Sequence, residues 1–236
     1  MDGIIYPVHI EKVWFYELPS DFEFNGTTVM VDANAASSNM PLFLSKNPAR
    51  LLVVNEQNLS RALMQYPDAL LAGESLSMDP ERFSASNHIS SINKIEAGGK
   101  DILWMSINGS RVFEKMCGHT DRLVLAGAFN NFGALVNFLA QSQKDVLIVM
   151  AGDRGQEVLE DKICGEMIEK KLSGLPVDWE DSRQALTKEL MKYASDQSEI
   201  KDDLPLLLDL NRYNIVPKCF KNKDGFLEVK DILETQ

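Results

Sequence analysis

Five places in this sequence put residues able to do chemistry directly after a short apolar run. Asp32 follows TTVMV and Glu74 closes ALLAG. Asn108, Gly109, Ser110 and Arg111 follow ILWMSI, and Asn130 and Asn131 follow LVLAGAF. The longest cluster, with Asp153, Arg154, Glu160 and Asp161, follows VLIVMAG. A carboxylate such as Asp32 can hold Mg²⁺ while the N–H groups of a following helix start hold an anion. Ser37, Ser38 and Asn39 enrich that start in hydroxyl and amide groups. The same Asp32 can serve simply as a helix cap, and its position leaves both readings open. At Asn108–Arg111, Gly109 permits close backbone approach, Ser110 brings a hydroxyl and Arg111 a fork of donors, which together could cradle an oxyanion. A plain Asn-Gly turn also fits. Glu160 and Asp161 are neighbours on a predicted helix, so they point ~100° apart and at most one faces a given site directly. Two acids in a first turn also complement the helix dipole. Arg154 is the nearest anion partner.

The elements that must position these residues are strands that hand over to helices. Leu123–Ala126 and residues 146–151 are apolar runs that break at an Ala-Gly step and lead into helix-period patterns. Runs of four to eight apolar residues alternating with helices predict a parallel sheet buried on both faces. Residues 4–16 and 27–31, Leu51–Val54, 69–72 and 102–106 read as further strands. Residues 33–47 and 60–64 read as helices, with another starting at Arg111. From 75 to 99 the pattern dissolves into Ser, Asn, Gly and charge and reads as a long loop or lid. Residues 178–193 and 199–211 read as amphipathic helices, and the tail CFKNKDGFLEVKD as a turn and a last strand. The expected class is α/β, with a mostly parallel sheet between helix layers in a three-layer architecture. It would form one unit over residues 1–236, or two lobes of about 1–120 and 121–236. Ligands of such sheets bind beyond the carboxyl ends of the strands, where all five clusters lie.

Composition narrows the classes of function. The 236 residues, 44% hydrophobic and 25% charged, are those of an ordinary globular protein. A net charge of −11 without a Lys/Arg stripe argues against nucleic acid. It also means that a phosphorylated substrate needs a local donor cluster or a bound cation. No apolar run approaches the ~20 residues of a membrane helix, and MDGIIYPVHIEK lacks the basic start of a secretory signal. Cys117, Cys164 and Cys219 share no metal-ligand spacing and read as reduced thiols, so a cytoplasmic location is expected. His9, His88 and His119 have no partner spacing and predict no histidine-based metal site or triad. Oligomeric state, a homo-oligomer included, is not specified.

Taken together, the clusters resemble the 2-phosphosulfolactate phosphatase family, in order from about residue 27 to residue 217. Val31-Asp32 with Ala36-Ser37-Ser38 is similar to the family's Asp-Val-Leu-Arg-Ala-Thr-Thr-Thr start. Gly73-Glu74 resembles its Gly-Glu, and residues 83–87 its Phe-Asp-Leu-Gly-Asn. Residues 106–111 resemble Thr-Thr-Asn-Gly-Thr-Arg, and Gly127-Ala128-Phe129 with Asn131 resembles Gly-Ser-Phe-x-Asn. Ala151-Gly152, Gly155, Glu160-Asp161 and Gly165 resemble the Ala-Gly…Glu-Asp…Ala-Gly block, the most specific of these. The family's arginines after Asp-Val-Leu and after Gly-Glu are Ala35 and Ser75 here.

The resemblance implies a Mg²⁺-dependent phosphatase acting on a small phosphorylated sulfo- or carboxy-acid, with an altered substrate. Asp32 and Asp161 would be catalytic. Asp32, Glu74, Glu160 and Asp161 would ligate the metal, and whether Asp32 is nucleophile or ligand stays open. Ser37, Ser38, Asn108, Gly109, Ser110, Arg111, Asn131 and Arg154 would hold the substrate's oxyanions. The two absent arginines leave an alternative: a degenerate relative that acts as a binding or assembly protein.

Overall fold

The computed structural model describes residues 9–118, 122–194 and 198–235. Its first half contains β1 (Ile10–Trp14), β2 (Thr27–Val31), α1 (Ala36–Ser45), β3 (Arg50–Val54), α2 (Leu59–Gln65), β4 (Leu70–Gly73), α3 (Ile89–Lys94), β5 (Asp101–Met105) and α4 (Gly109–Met116). The second half adds β6 (Leu123–Ala126), α5 (Phe132–Ser142), β7 (Val146–Met150), α6 (Leu159–Leu172), α7 (Trp179–Leu190), α8 (Ile200–Leu207), β8 (Pro217–Lys221) and β9 (Leu227–Asp231). The α/β class and the mostly parallel sheet are as expected. Every residue of β2 and of β7 is buried, as apolar, β-branched runs covered on both faces must be. In β3 and β5, Leu51, Val53, Ile102 and Trp104 pack into one core while Leu52, Val54, Leu103 and Met105 pack into a second under Leu59 and Ala62 of α2. This two-residue alternation puts apolar layers on both sides of the sheet. No helix among the described residues is long and apolar enough to cross a membrane.

Three features depart from the expectation. The strands form one sheet in the order β1-β7-β2-β6-β8-β9-β3-β5-β4, but it contains two parallel sets. β1, β7, β2 and β6 run one way; the steps β6-β8, β8-β9 and β9-β3 are all antiparallel, so β3, β5 and β4 run the other way. The tail is therefore a hairpin of two strands, inserted between the sets rather than added at an edge. Finally, the predicted loop at 75–99 holds α3, six residues with Ile89 and Ile92 buried. One helical turn and a half with two apolar residues is too short to raise a periodic signal.

The carboxyl ends of both sets nonetheless meet. The contact is direct: Asn108 Nδ2, after β5, donates to Asp153 Oδ1, after β7, at 2.9 Å.

Gly73, the last residue of β4, shows how tightly these ends are set. Its φ is +117°, and a Cβ there would lie 1.8 Å from the Met105 carbonyl oxygen. Strained backbone and overpacking each cost about 1–3 kcal/mol. Gly73→Ala is therefore expected to lower the unfolding free energy by roughly 2–5 kcal/mol in urea denaturation. An unchanged midpoint would show that the β4–β5 ends have slack.

Candidate active site

At the end of β2 the chain makes a turn held by its own small residues. The Asp32 N–H donates to Ser37 Oγ at 2.9 Å, and that hydroxyl donates to the Met30 carbonyl at 3.0 Å. Ser38 Oγ donates to the Ala33 carbonyl at 2.5 Å. Both serines are fully buried, so their hydroxyls are spent on the main chain. Asp161, in the first turn of α6, reaches across to this turn. Its Oδ1 accepts from Ala33 N–H at 2.7 Å and its Oδ2 from Gly152 N–H at 2.9 Å. One carboxylate thus ties the end of β2 to the end of β7. It is 2% exposed and sits in the first turn of α6, where an acid also complements the helix dipole.

The opposite strand set supplies the facing wall. Glu74, after β4, accepts from Ile107 N–H and Asn87 Nδ2, each at 3.3 Å. Gly109 opens α4 against the β2 turn; a Cβ there would sit 2.5 Å from Ala36 Cβ and 3.2 Å from Asp32 Oδ2. Only glycine lets α4 come this close to Asp32. Ser110 Oγ donates to the Val54 carbonyl at 3.1 Å and accepts from Ser106 N–H at 3.0 Å.

Between the walls lies a cavity of about 560 Å³. Of the predicted residues, Asp32, Glu74, Asn108, Arg154, Glu160 and Asp161 line it, and Gly109 abuts it through Asp32. Ser37, Ser38, Ser110 and Asn131 do not; Asn131 instead holds the turn after β6, accepting from Ala128 N–H and donating to the carbonyls of Ala126 and Ile215. Arg111 lines an adjoining cavity of about 270 Å³, together with Glu74, Ser75 and Glu114. Ala35 lines the main cavity. Ser75 donates to Glu56 at 2.8 Å.

Among the described residues, seven carboxyl groups line the main cavity: Asp32, Glu74, Asp153, Glu157, Glu160, Asp161 and Glu189. Facing them are Arg154 and His88. Burial pushes the Asp32 carboxyl up to about 7; Glu74, Glu160 and Asp153 reinforce the rise and a hydrogen bond from the Ala36 N–H opposes it. Asp161 is also raised, by burial first and by Asp32 second, against its two N–H donors. Burial raises Glu160 too. Among the described residues, no group of three acidic, histidine or cysteine side chains is already disposed to hold a metal.

One histidine has a partner that sequence spacing does not show. The Nδ1 of His88 lies 2.6 Å from Asp203 Oδ2, 115 residues away on α8. No spacing rule reaches that far, so the only available signal was an imidazole next to the residues 83–87 block. Asn87, Asp153, Glu157 and Glu189 were likewise not among the expected site residues. His9 is exposed outside the cavity, and His119 lies outside the described residues.

An α/β protein with a polar cavity at the carboxyl ends of its parallel strands is built like the small-ligand-binding members of its class. The family model described as 2-phosphosulpholactate phosphatase matches residues 15–222, and the chain belongs to that family. It is 26% identical over 210 residues to a protein of Thermotoga maritima named probable 2-phosphosulfolactate phosphatase, covering 89% of this chain and 87% of that one. A Caldanaerobacter subterraneus protein of the same name is 26% identical over 210 residues, covering 80% and 86%. A Thermotoga petrophila relative, also so named, is 29% identical over 147 residues, 62% of each chain.

Two outcomes follow from this geometry. An Asn at position 161 has one acceptor for two N–H donors, and leaving a buried donor unpaired costs about 1–3 kcal/mol. Asp161→Asn should therefore lose that much in chemical denaturation, whatever it does to activity; a fully stable variant would mean the tie between β2 and β7 is dispensable. The second outcome concerns pH. Asp32 and Asp161 bind protons more readily in the fold than in the unfolded chain. The stability this confers is complete below the unfolded value of ~4 and is lost as pH rises toward about 7. His88, raised mainly by its hydrogen bond to Asp203, acts in the same direction. In chelator the melting temperature should fall between about pH 5 and pH 8, and Asp32→Asn should shrink that fall. A flat or rising profile would contradict the assignment.

Proposed function

We propose that this chain is a Mg²⁺-dependent phosphatase that hydrolyses a small phosphorylated sulfo- or carboxy-acid. The observation that carries the reading is the crowding of seven carboxyl groups into one half-buried cavity in a member of this family. A phosphate ester entering alone would be repelled, whereas an all-oxygen donor set of this kind suits Mg²⁺. Mg²⁺ typically binds through one or two carboxylates and keeps several waters, so the lack of a preformed three-ligand cluster among the described residues is compatible with it. Asp32 and Glu160 would hold it, with Glu74 and Asp161 as the neighbouring acids. When bound, the ion supplies charge neutralisation and polarisation at the phosphoryl group.

The chain's own groups do the rest. Asp32, whose carboxyl burial raises to about 7, would give up its proton on holding the ion and stand as a fixed carboxylate at the site. Asp161 positions it by fixing the turn that carries it. Asn108 and Arg154 offer N–H donors to substrate oxyanions from the two facing walls. Ala35 and Ser75 offer no cationic fork, which supports a substrate different from that of arginine-bearing relatives.

A panel of small phosphate esters tests this. Hydrolysis should disappear in EDTA and return with Mg²⁺, and Asp32→Asn should reduce it by roughly 10²–10⁴-fold while remaining folded. Full turnover in chelator would overturn the metal assignment.

A further inference from the structure

His88 is the residue that the phosphatase reading does not use. It stands at the start of α3, lines the cavity and keeps 28% of its side chain exposed. Asp203 holds it from α8, and Asp203 itself is only 1% exposed. Both oxygens of that acid are committed: Oδ2 to His88 Nδ1 at 2.6 Å, and Oδ1 to the Ser90 N–H at 2.9 Å. A buried carboxylate facing a ring nitrogen this closely accepts a hydrogen bond from Nδ1–H, which fixes the ring's orientation and leaves Nε2 as its one remaining polar atom. Asp203 and Glu199 on the α8 side and Glu74 beyond β4 all act on the ring, and together they favour the imidazolium form, whose Nε2 carries a second N–H. The cavity's other cation, Arg154, is held differently. Its side chain is 77% exposed and its nearest acid oxygen, on Asp153, is 3.9 Å away. Among the described residues, His88 is therefore the one cation of the cavity immobilised by a buried partner, and an immobilised donor forfeits little side-chain entropy when it grips a ligand.

We propose that His88, oriented by Asp203, is a substrate-binding residue that donates from Nε2 to an oxyanion of the ligand and thereby sets affinity and selectivity for anionic substrates. The proposal rests on the phosphatase reading for its substrate, but the anion site it describes can be measured without turnover. Losing a charge-assisted hydrogen bond corresponds to roughly a 10- to 100-fold loss of affinity.

The test combines calorimetric titration of inorganic phosphate into the Mg²⁺-supplemented full chain with steady-state kinetics on a small phosphate ester. Four proteins are compared: wild type, His88→Gln, His88→Arg and Asp203→Asn, each first checked by thermal melting. His88→Gln should weaken phosphate binding roughly 10- to 100-fold and raise KM in proportion, with kcat nearly unchanged. Asp203→Asn should shift both in the same direction by less, and His88→Arg, which restores a permanent cation, should recover most of the binding. A folded His88→Gln that binds phosphate like wild type overturns the proposal. So does a loss confined to kcat or to melting temperature, which is what a purely structural role would give. Wild type that binds no phosphate overturns it as well. Turnover that is indifferent to His88 leaves the phosphatase reading standing and removes this one. His88-dependent phosphate binding without turnover of any ester does the reverse.

Discussion

The Asp161 carboxylate is the interaction on which the site depends. By accepting from Ala33 and Gly152 it fixes the two strand ends that carry Asp32 and the 152–161 loop. Placing a second buried acid beside Asp32 is costly, because each disfavours ionisation of the other and burial disfavours both. A fold that needed only stability would replace such a pair with apolar side chains of similar volume. Its presence, among five further carboxyl groups, makes sense where a cation offsets the repulsion.

The architecture explains how so many acids reach one place. A single parallel set would line up its βα junctions along one edge. Here two sets of opposite sense face each other across the β8–β9 hairpin, so acids from β2, β4 and β7 converge from different sides. Gly109 and Asn108 close the gap between the sets, one by lacking a side chain and the other by spanning to Asp153. The helices after residue 172 add the remaining wall: α7 brings Glu189, and α8 brings the Asp203 that aims His88.

How much of this was legible depended on the range of the interaction. β2, β6 and β7 announced themselves as apolar runs, because a strand buried on both faces needs no partner to be recognised. Asp32 and Glu74 are legible because each directly follows such a run, and Glu160 and Asp161 because they open the helix pattern after one. Ser37, Ser38, Ser110 and Asn131 were recognised as polar residues at helix starts, but not as spent on main-chain carbonyls and amides; local sequence does not say which way a hydroxyl turns. In the sequence the inserted hairpin shows only a turn and one strand, for its pairing with β6 and β3 is set by tertiary packing. The His88–Asp203 pair, 115 residues apart, left no trace in spacing at all.

The central claim is that this acidic cavity is a cation site with Asp32 at its heart. Calorimetric titration of Mg²⁺ at about pH 6.5, in two buffers of different ionisation enthalpy, addresses it most directly. Burial raises the Asp32 carboxyl to about 7, and it must give up its proton to a cation, so binding should release protons. In Asp32→Asn that release should shrink and affinity should fall. Mg²⁺ binding without proton release, or a wild-type chain that binds no Mg²⁺, would contradict the account.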